Sequence, residues 1–257
     1  MKVRLDWRRG AQENAAAYYE RAKELARKEQ GARQAIGETG ALIARAGNEL
    51  EAAVSSETGP RMRRRKEWFE KFRWFFTSGG RLVVAGRDAR QNDLLVSKVM
   101  AEEDLFFHAD IQGAPATILV GGGKADSREK SEAAQFAASH SSAWKTGAAS
   151  VDVYCVERGQ LSKHAQGGFT GAGGFAIEGQ REWFRATPLG LAVGEKEGVV
   201  LCLPAVHPEA EKMRFSISLG AREKGEAAAI IAKSLAASPD EVILALPSGK
   251  FSLKEKR

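Results

Sequence analysis

Little in this sequence points toward covalent, redox or metal chemistry. Its 257 residues hold two cysteines and four histidines. Cys155 and Cys202 both sit in apolar, strand-like runs, where a free thiol behaves as a small hydrophobe. They make neither a disulfide framework nor a zinc site, and a reducing cytoplasm is the simplest setting for them. His140, His164 and His207 show no ligand spacing with His108, so no metal centre is expected, and nothing calls for a cofactor. No apolar run approaches the roughly 20 residues a membrane helix needs. The opening MKVRLDWRRG has no apolar core of the kind a signal peptide carries, so no membrane partner is expected. Gly121-Gly122-Gly123-Lys124 lacks the spacing and the following hydroxyl of a phosphate-binding P-loop. No strand-turn-helix nucleophile elbow accompanies any His–Asp pair.

What the chain does have is positive charge, unevenly placed. The net charge is +6, which suits an anionic partner. Residues 1–60 hold ten Lys/Arg against nine Asp/Glu, whereas residues 61–74 hold seven against two. A local excess of this kind is a better sign of a phosphate-facing surface than the global sum.

From residue 12 to about 54 there is no proline, and Ala, Glu, Lys and Arg dominate, all good helix formers. The apolar stripe is mostly alanine, narrow enough for one close-packed helical partner. Gly31, Gly37, Gly40 and Gly47 each weaken it by about 1 kcal/mol relative to Ala, and a break near 37–40 is allowed. After Gly59-Pro60, residues 61–76 read as a second helix, with Trp68, Phe72 and Phe75 spaced i, i+4, i+7 as a buried stripe. Arg63, Arg64 and Lys66 would cover its outer face, with Arg73 nearby. The two segments make a coiled-coil-like hairpin over 1–76.

Beyond it, 81–86 is a short buried strand. Asp88 and Gln91, three apart before Leu94, Leu95 and Val99, carry the signature of a helix capping box. Strands follow at 104–111 and 116–120. A helix opens at Asp126 and Glu129 and runs to about 142. Residues 150–157 alternate as a strand, 159–173 form a glycine-rich loop, and 174–177, 189–193 and 199–203 are further strands. Past Pro204 and Pro208 come a strand at 215–219, a helix at 223–236, a short helix opened by Ser238-Pro239-Asp240-Glu241, and a basic tail. This order argues for an α+β protein. Its parts are the N-terminal helical hairpin 1–76, a mixed β-sheet domain with flanking helices at 77–203, and a strand-helix extension at 204–257 packed on that domain.

The candidate chemistry gathers in three places. In GRDARQND (86–93) a cap explains Asp88 and Gln91 but not Arg87, Arg90 or Asn92. A strand-to-helix turn presents unpaired N–H groups that favour anions, and two arginines beside it suit bidentate phosphate contact. In 104–111, Phe106, His108 and Asp110 share one strand face opposite Leu105, Phe107, Ala109 and Ile111. His108 and Asp110 either brace a sheet edge or join Asp88 as an acid–base set, which would make the chain a nuclease or an RNA-modifying enzyme. In the glycine-rich loop, Lys163 and His164 lie near Phe169 and offer a cation, an imidazole and a ring for an unpaired base. A third class is a coiled-coil protein-interaction module built on the hairpin.

Three ordered blocks also carry a family resemblance. WFEKFRWF (68–75), GRDARQND (86–93) and DLFFHADIQGA (104–114) are close to literal matches for the pattern of the NFACT-R domain. That domain is the RNA-binding part of the NFACT, or fibronectin-binding A-like, proteins of ribosome-associated quality control. Weaker echoes are Gln160-Leu161-Ser162-Lys163 and Gly173-Gly174-Phe175-Ala176-Ile177, and residues 5–39 resemble the start of the coiled coil that precedes the domain in longer members. Glu178 and Gln180 stand where the family has basic residues. The resemblance covers most of the chain up to about 203 and implies a cytoplasmic, non-catalytic RNA-binding protein in translation quality control. It implies association with tRNA or ribosomal RNA and with the ribosome or its large subunit. With no large N-terminal NFACT domain in this sequence, a stand-alone form is expected, with that domain supplied by a separate protein.

Overall fold

The computed structural model describes residues 5–56, 66–165 and 168–256. The chain divides into two compact units, Met1–Arg65 and Lys66–Arg257.

In the first unit, Ala11–Ser56 (α1) is one helix of 46 residues, and its glycines do not break it. Its start is fixed by Asn14, which is buried. The Asn14 amide donates to the carbonyls of Asp6, Arg9 and Gly10 at 3.0–3.1 Å and accepts from the Asp6 N–H at 2.9 Å. Along the surface, Glu24–Lys28 and Glu29–Arg33 pair one turn apart at 2.6 and 2.9 Å, the arrangement that supports solvated helices. The second arm of the expected hairpin is a correction. Over its described part it is not helical: Trp68–Lys71 is a single 3-10 turn and Arg73–Phe76 is a strand, while 61–65 lie outside the described residues. Phe72 and Phe75 fit a helical stripe, while Trp74 and Phe75 fit equally well the two opposite faces of a period-2 strand. Pairing with the next strand decides between them.

In the second unit the strands are β1 Arg73–Phe76, β2 Leu82–Ala85, β3 Leu105–Ala109, β4 Thr117–Leu119, β5 Ser150–Glu157, β6 Leu161–Ser162, β7 His164–Ala165, β8 Gly168–Phe169, β9 Ala176–Ile177, β10 Glu182–Pro188, β11 Leu191–Lys196, β12 Val199–Pro204, β13 Phe215–Arg222 and β14 Phe251–Glu255. The helices are α2 Ala89–Leu94, continued by a π turn Leu95–Val99, then α3 Ser127–Ser139, α4 Ala143–Thr146, α5 Lys224–Leu235 and α6 Pro239–Ala245. The main sheet has the order β1-β2-β4-β3-β5-β10, the second β12-β11-β13-β14, and two small pairs are β6–β9 and β7–β8. The α+β class stands. Every described pairing is antiparallel, where a mixed sheet had been expected. Two further corrections concern strands. Residues 182–188 were not read as one, and the supposed basic tail is β14, with Phe251 buried.

Strand alternation gives the main sheet two apolar faces. One carries Phe75, Val83, Leu119, Phe107 and Val153 against α3 and the second sheet, in a single buried cluster. Ala133, Ala134, Ala137 and Ala138 let α3 lie close to that face. Asp126 and Glu129 form the expected capping box, and Glu129 also accepts from Thr77 Oγ1 at 2.6 Å and pairs with Arg81. The other face carries Val84, Ile118, Phe106 and Val156 under Leu95, Val96 and Met100 of the α2 segment. That second face positions the candidate site.

Candidate nucleic-acid interface

At the turn from β2 into α2, Asp88 caps the helix as its spacing predicts, while Gln91 reaches one residue further back than a capping box requires. The Asp88 carboxylate accepts from the Gln91 N–H at 2.8 Å, and the Gln91 side chain accepts from the Arg87 N–H at 3.0 Å. Asn92 is buried, and its Oδ1 accepts from the Ala116 N–H at 3.1 Å, tying α2 to the start of β4. The arginines divide. Arg87 Nη2 donates to the Phe72 carbonyl at 3.0 Å, and Arg73 Nη1 donates to the Gly86 carbonyl at 2.8 Å. Burial, and next the charge of Arg87, pushes Arg73 down to about 10, and burial lowers Arg87 as well. These two guanidinium groups tie β1 to the α2 turn, which corrects the view that Arg87 has no structural task. Arg90 is exposed and has no partner among the described residues. Lys66 is exposed too, and Arg63 and Arg64 lie outside the described residues.

The glycine-rich loop is fastened to this same turn. Lys163 pairs with Asp93, donates to the Gly174 carbonyl at 2.8 Å and lies 4.1 Å from the centre of the Phe175 ring. The Gly173 N–H donates to the other Asp93 oxygen at 3.1 Å. The Lys163 hydrogen bond, foremost, holds the Asp93 carboxyl below the usual carboxylate range. Gly173 has φ +74°, and a Cβ there would lie 2.8 Å from Ala89 Cα. Only glycine meets both demands. Lys163, expected to offer its cation to an unpaired base of RNA, is thus largely committed to holding the loop on α2, while His164 is exposed beside it in β7. Two stretches that look separate in sequence form one place.

His108 is half-buried. Its ring lies parallel to Phe106 at 6.1 Å and tilted against Tyr154 at 5.7 Å. Burial lowers its pKa, outweighing hydrogen bonds and the nearby Asp110 that favour the charged form. Asp110 is exposed, with its N–H bonded to the Asp152 carbonyl at 2.8 Å. The row continues across the sheet in register: His108 faces Tyr154, and Tyr154 faces Trp183. The Arg181 guanidinium sits 4.6 Å over the Tyr154 ring and 5.8 Å from Trp183, and Arg185 sits 4.0 Å over Trp183. The sequence reading missed Tyr154, Arg181, Trp183 and Arg185. The available signal was the period-2 spacing of Arg181, Trp183 and Arg185, obscured by Glu182 and Pro188. As for the acid–base set, Asp88 is occupied with its helix cap, and no three or more His, Cys, Asp or Glu among the described residues are placed to hold a metal ion. No described helix is long and apolar enough to cross a membrane.

Residues 71–179 match the family described as the NFACT protein RNA binding domain, so the resemblance carried by the three sequence blocks is borne out over that stretch. The Archaeal Rqc2 homolog aRqcH of Methanocaldococcus jannaschii is 42% identical over 148 residues, 57% of this chain and 22% of that protein. The Ribosome quality control complex subunit NEMF homolog of Drosophila melanogaster is 33% identical over 184 residues, 70% of this chain and 18% of that protein. This chain thus spans about a fifth of the length of these relatives. A solved structure, the C-terminal of the fibronectin/fibrinogen-binding protein from Streptococcus suis, overlays 51% of each chain with TM-score 0.40 and 25% identity.

Proposed function

We propose that this chain binds RNA and acts in ribosome-associated quality control, on tRNA or ribosomal RNA and in contact with the ribosome or its large subunit. It does so in the cytoplasm and without chemistry of its own. One observation carries this reading. The stretch matching the NFACT protein RNA binding domain, 71–179, contains the α2 turn and the glycine-rich loop that Asp93 fastens together. The exposed Arg90 stands in α2 at that junction and has no ion-pair partner among the described residues. A surface of this kind meets phosphates, and its affinity then depends on counterion release.

Filter-binding titrations with tRNA and with ribosomal RNA over a salt series test the proposal. Log affinity is expected to fall linearly with log salt for both. Absent binding, or binding indifferent to salt, overturns the reading.

A further inference from the structure

We propose that the row His108, Tyr154 and Trp183, with Arg181 and Arg185, is a stacking platform for unpaired bases of single-stranded RNA. The proposal rests on the RNA-binding reading and adds to it which part of RNA is gripped, and where. The α2 turn and the loop fastened to it offer the cation of Arg90 and the exposed His164 imidazole; this row sets cations against three neighbouring rings.

The register makes the platform. Three strands, β3, β5 and β10, bring His108, Tyr154 and Trp183 side by side on one face. Tyr154 and Trp183 meet edge to face at 5.7 Å. Directly opposed rings on adjacent strands are a rigid array, because each is held by its neighbours. The inner part of this face is covered by the α2 segment, with Leu95, Val96 and Met100 over Phe106, Val156 and Ile118. The row at 108, 154 and 183 lies beside that cover. His108 and Trp183 remain half-exposed, and Tyr154 is covered by Arg181.

Charge decides the occupant. Arg185 is held over Trp183 by the Asp152 carboxylate at 2.6 Å. β10 carries a bulge between Phe184 and Thr187, and within it Ala186, at φ +47°, donates its N–H to Asp152 at 2.7 Å. The fold therefore accepts a left-handed non-glycine residue where it fixes Arg185. Arg181 has no carboxylate partner among the described residues. The Arg181 guanidinium, 4.6 Å over the buried Tyr154 ring and itself half-exposed, adds a planar cation to the row. Rings and guanidinium planes are the surfaces on which unpaired bases stack. An uncompensated cation beside them suits the phosphate that follows each base. Asp110 stands at the same end of the row, where its charge acts on His108 and Tyr154. As an acceptor it matches amino groups on base edges rather than phosphate. A helical RNA keeps its base faces stacked inside and does not fit this row. A protein partner would need a carboxylate opposite Arg181 as well as apolar contacts to the rings, whereas single-stranded RNA brings an anion and a flat ring in every nucleotide.

The test compares three probes on the full chain at one salt concentration: oligouridine, an abasic ribose-phosphate oligomer of the same length, and a blunt RNA duplex. Oligouridine is expected to bind about tenfold or more tightly than the abasic oligomer, the scale of one or two base-stacking contacts. Trp183→Ala is expected to lose that difference while binding the abasic oligomer as the wild type does, and Trp183→Phe, which keeps a ring, retains most of it. Should Trp183→Ala fail to fold, the wild-type preference and Trp183→Phe still decide. Equal binding of all three probes, or an unchanged preference in a folded Trp183→Ala, overturns the platform and leaves RNA binding standing. No binding of any probe at low salt overturns both.

Discussion

The two arginines of the GRDAR motif separate stability from recognition. Arg87 reaches back to the Phe72 carbonyl while Arg90 projects into solvent. Removing Arg87 leaves that carbonyl without its charged donor, a loss of about 1–3 kcal/mol. Arg87→Ala is therefore expected to lower the urea midpoint clearly. Arg90→Ala should leave the unfolding free energy within about 0.5 kcal/mol yet lower RNA affinity and reduce the salt slope by roughly one phosphate contact. Parallel unfolding and binding titrations check both; the reverse pattern would exchange the two roles. Lys224 supplies a pH test. Burial first, then the charges of Arg73 and Arg87, pushes it from 10.5 down to about 8, although its Nζ donates to the Leu246 carbonyl at 3.0 Å. Below pH 8 the folded state carries a penalised charge. Between about 8 and 10.5 the unfolded chain holds a proton at Lys224 that the folded chain has released, so this group's contribution to stability rises with pH across that window. The buried Cys155 and Cys202 thiols, pushed up to about 12, act in the opposite sense above about 9. The difference between the unfolding midpoints of the wild type and Lys224→Met isolates the lysine, and it is expected to shift in favour of the wild type as pH rises through the window.

Glycine behaves oppositely in different elements, because its cost depends on what surrounds it. At Gly31 and Gly37 of α1 nothing lies within 4 Å of an added Cβ. Alanine at each should favour the helix by about 1 kcal/mol, visible as slower amide exchange along α1 in Gly31→Ala/Gly37→Ala. At Gly173 the left-handed backbone and Ala89 oppose a side chain, so Gly173→Ala should loosen the loop from α2 and speed exchange there. Unchanged exchange at either place would refute the corresponding account. Elements whose signal is local were legible in the sequence. Asp126 and Glu129 announce α3, Asp88 and Gln91 announce α2, and the Val-Asp-Val-Tyr alternation marks β5 to its bounds. Elements defined by their partners were not. The aromatic run at 72–76 suits a helix until β2 supplies its hydrogen bonds. Charged β10 and β14 are strands because β5 and β13 pair with them. The same rule holds at the site. The cap was readable from spacing, whereas the Asp93 clasp and the row through Tyr154 and Trp183 join residues far apart in the chain.

For the whole molecule, the buried core and the excess positive charge reside in different stretches. Both buried apolar clusters are made from residues beyond 71, so the unit Lys66–Arg257 has a core of its own. The charge is distributed otherwise. Of the net +6, residues 1–60 contribute one unit and Arg61, Arg63, Arg64 and Arg65 contribute four, leaving +1 for Lys66–Arg257. The folded unit is thus nearly neutral overall, with local cations at Arg90 and Arg181, and the four arginines before it carry most of the excess that draws a polyanion from a distance. A chain beginning at Lys66 is therefore expected to unfold in one cooperative step within a few degrees of the full chain. In RNA titrations its salt slope should be smaller by roughly three, the share of four neutralised phosphates. A chain beginning at Arg61 should recover the full slope with no change in melting temperature. If the Lys66 chain keeps the full slope, the phosphate contacts belong to the folded unit instead. If it unfolds, residues before 66 supply packing that neither apolar cluster contains.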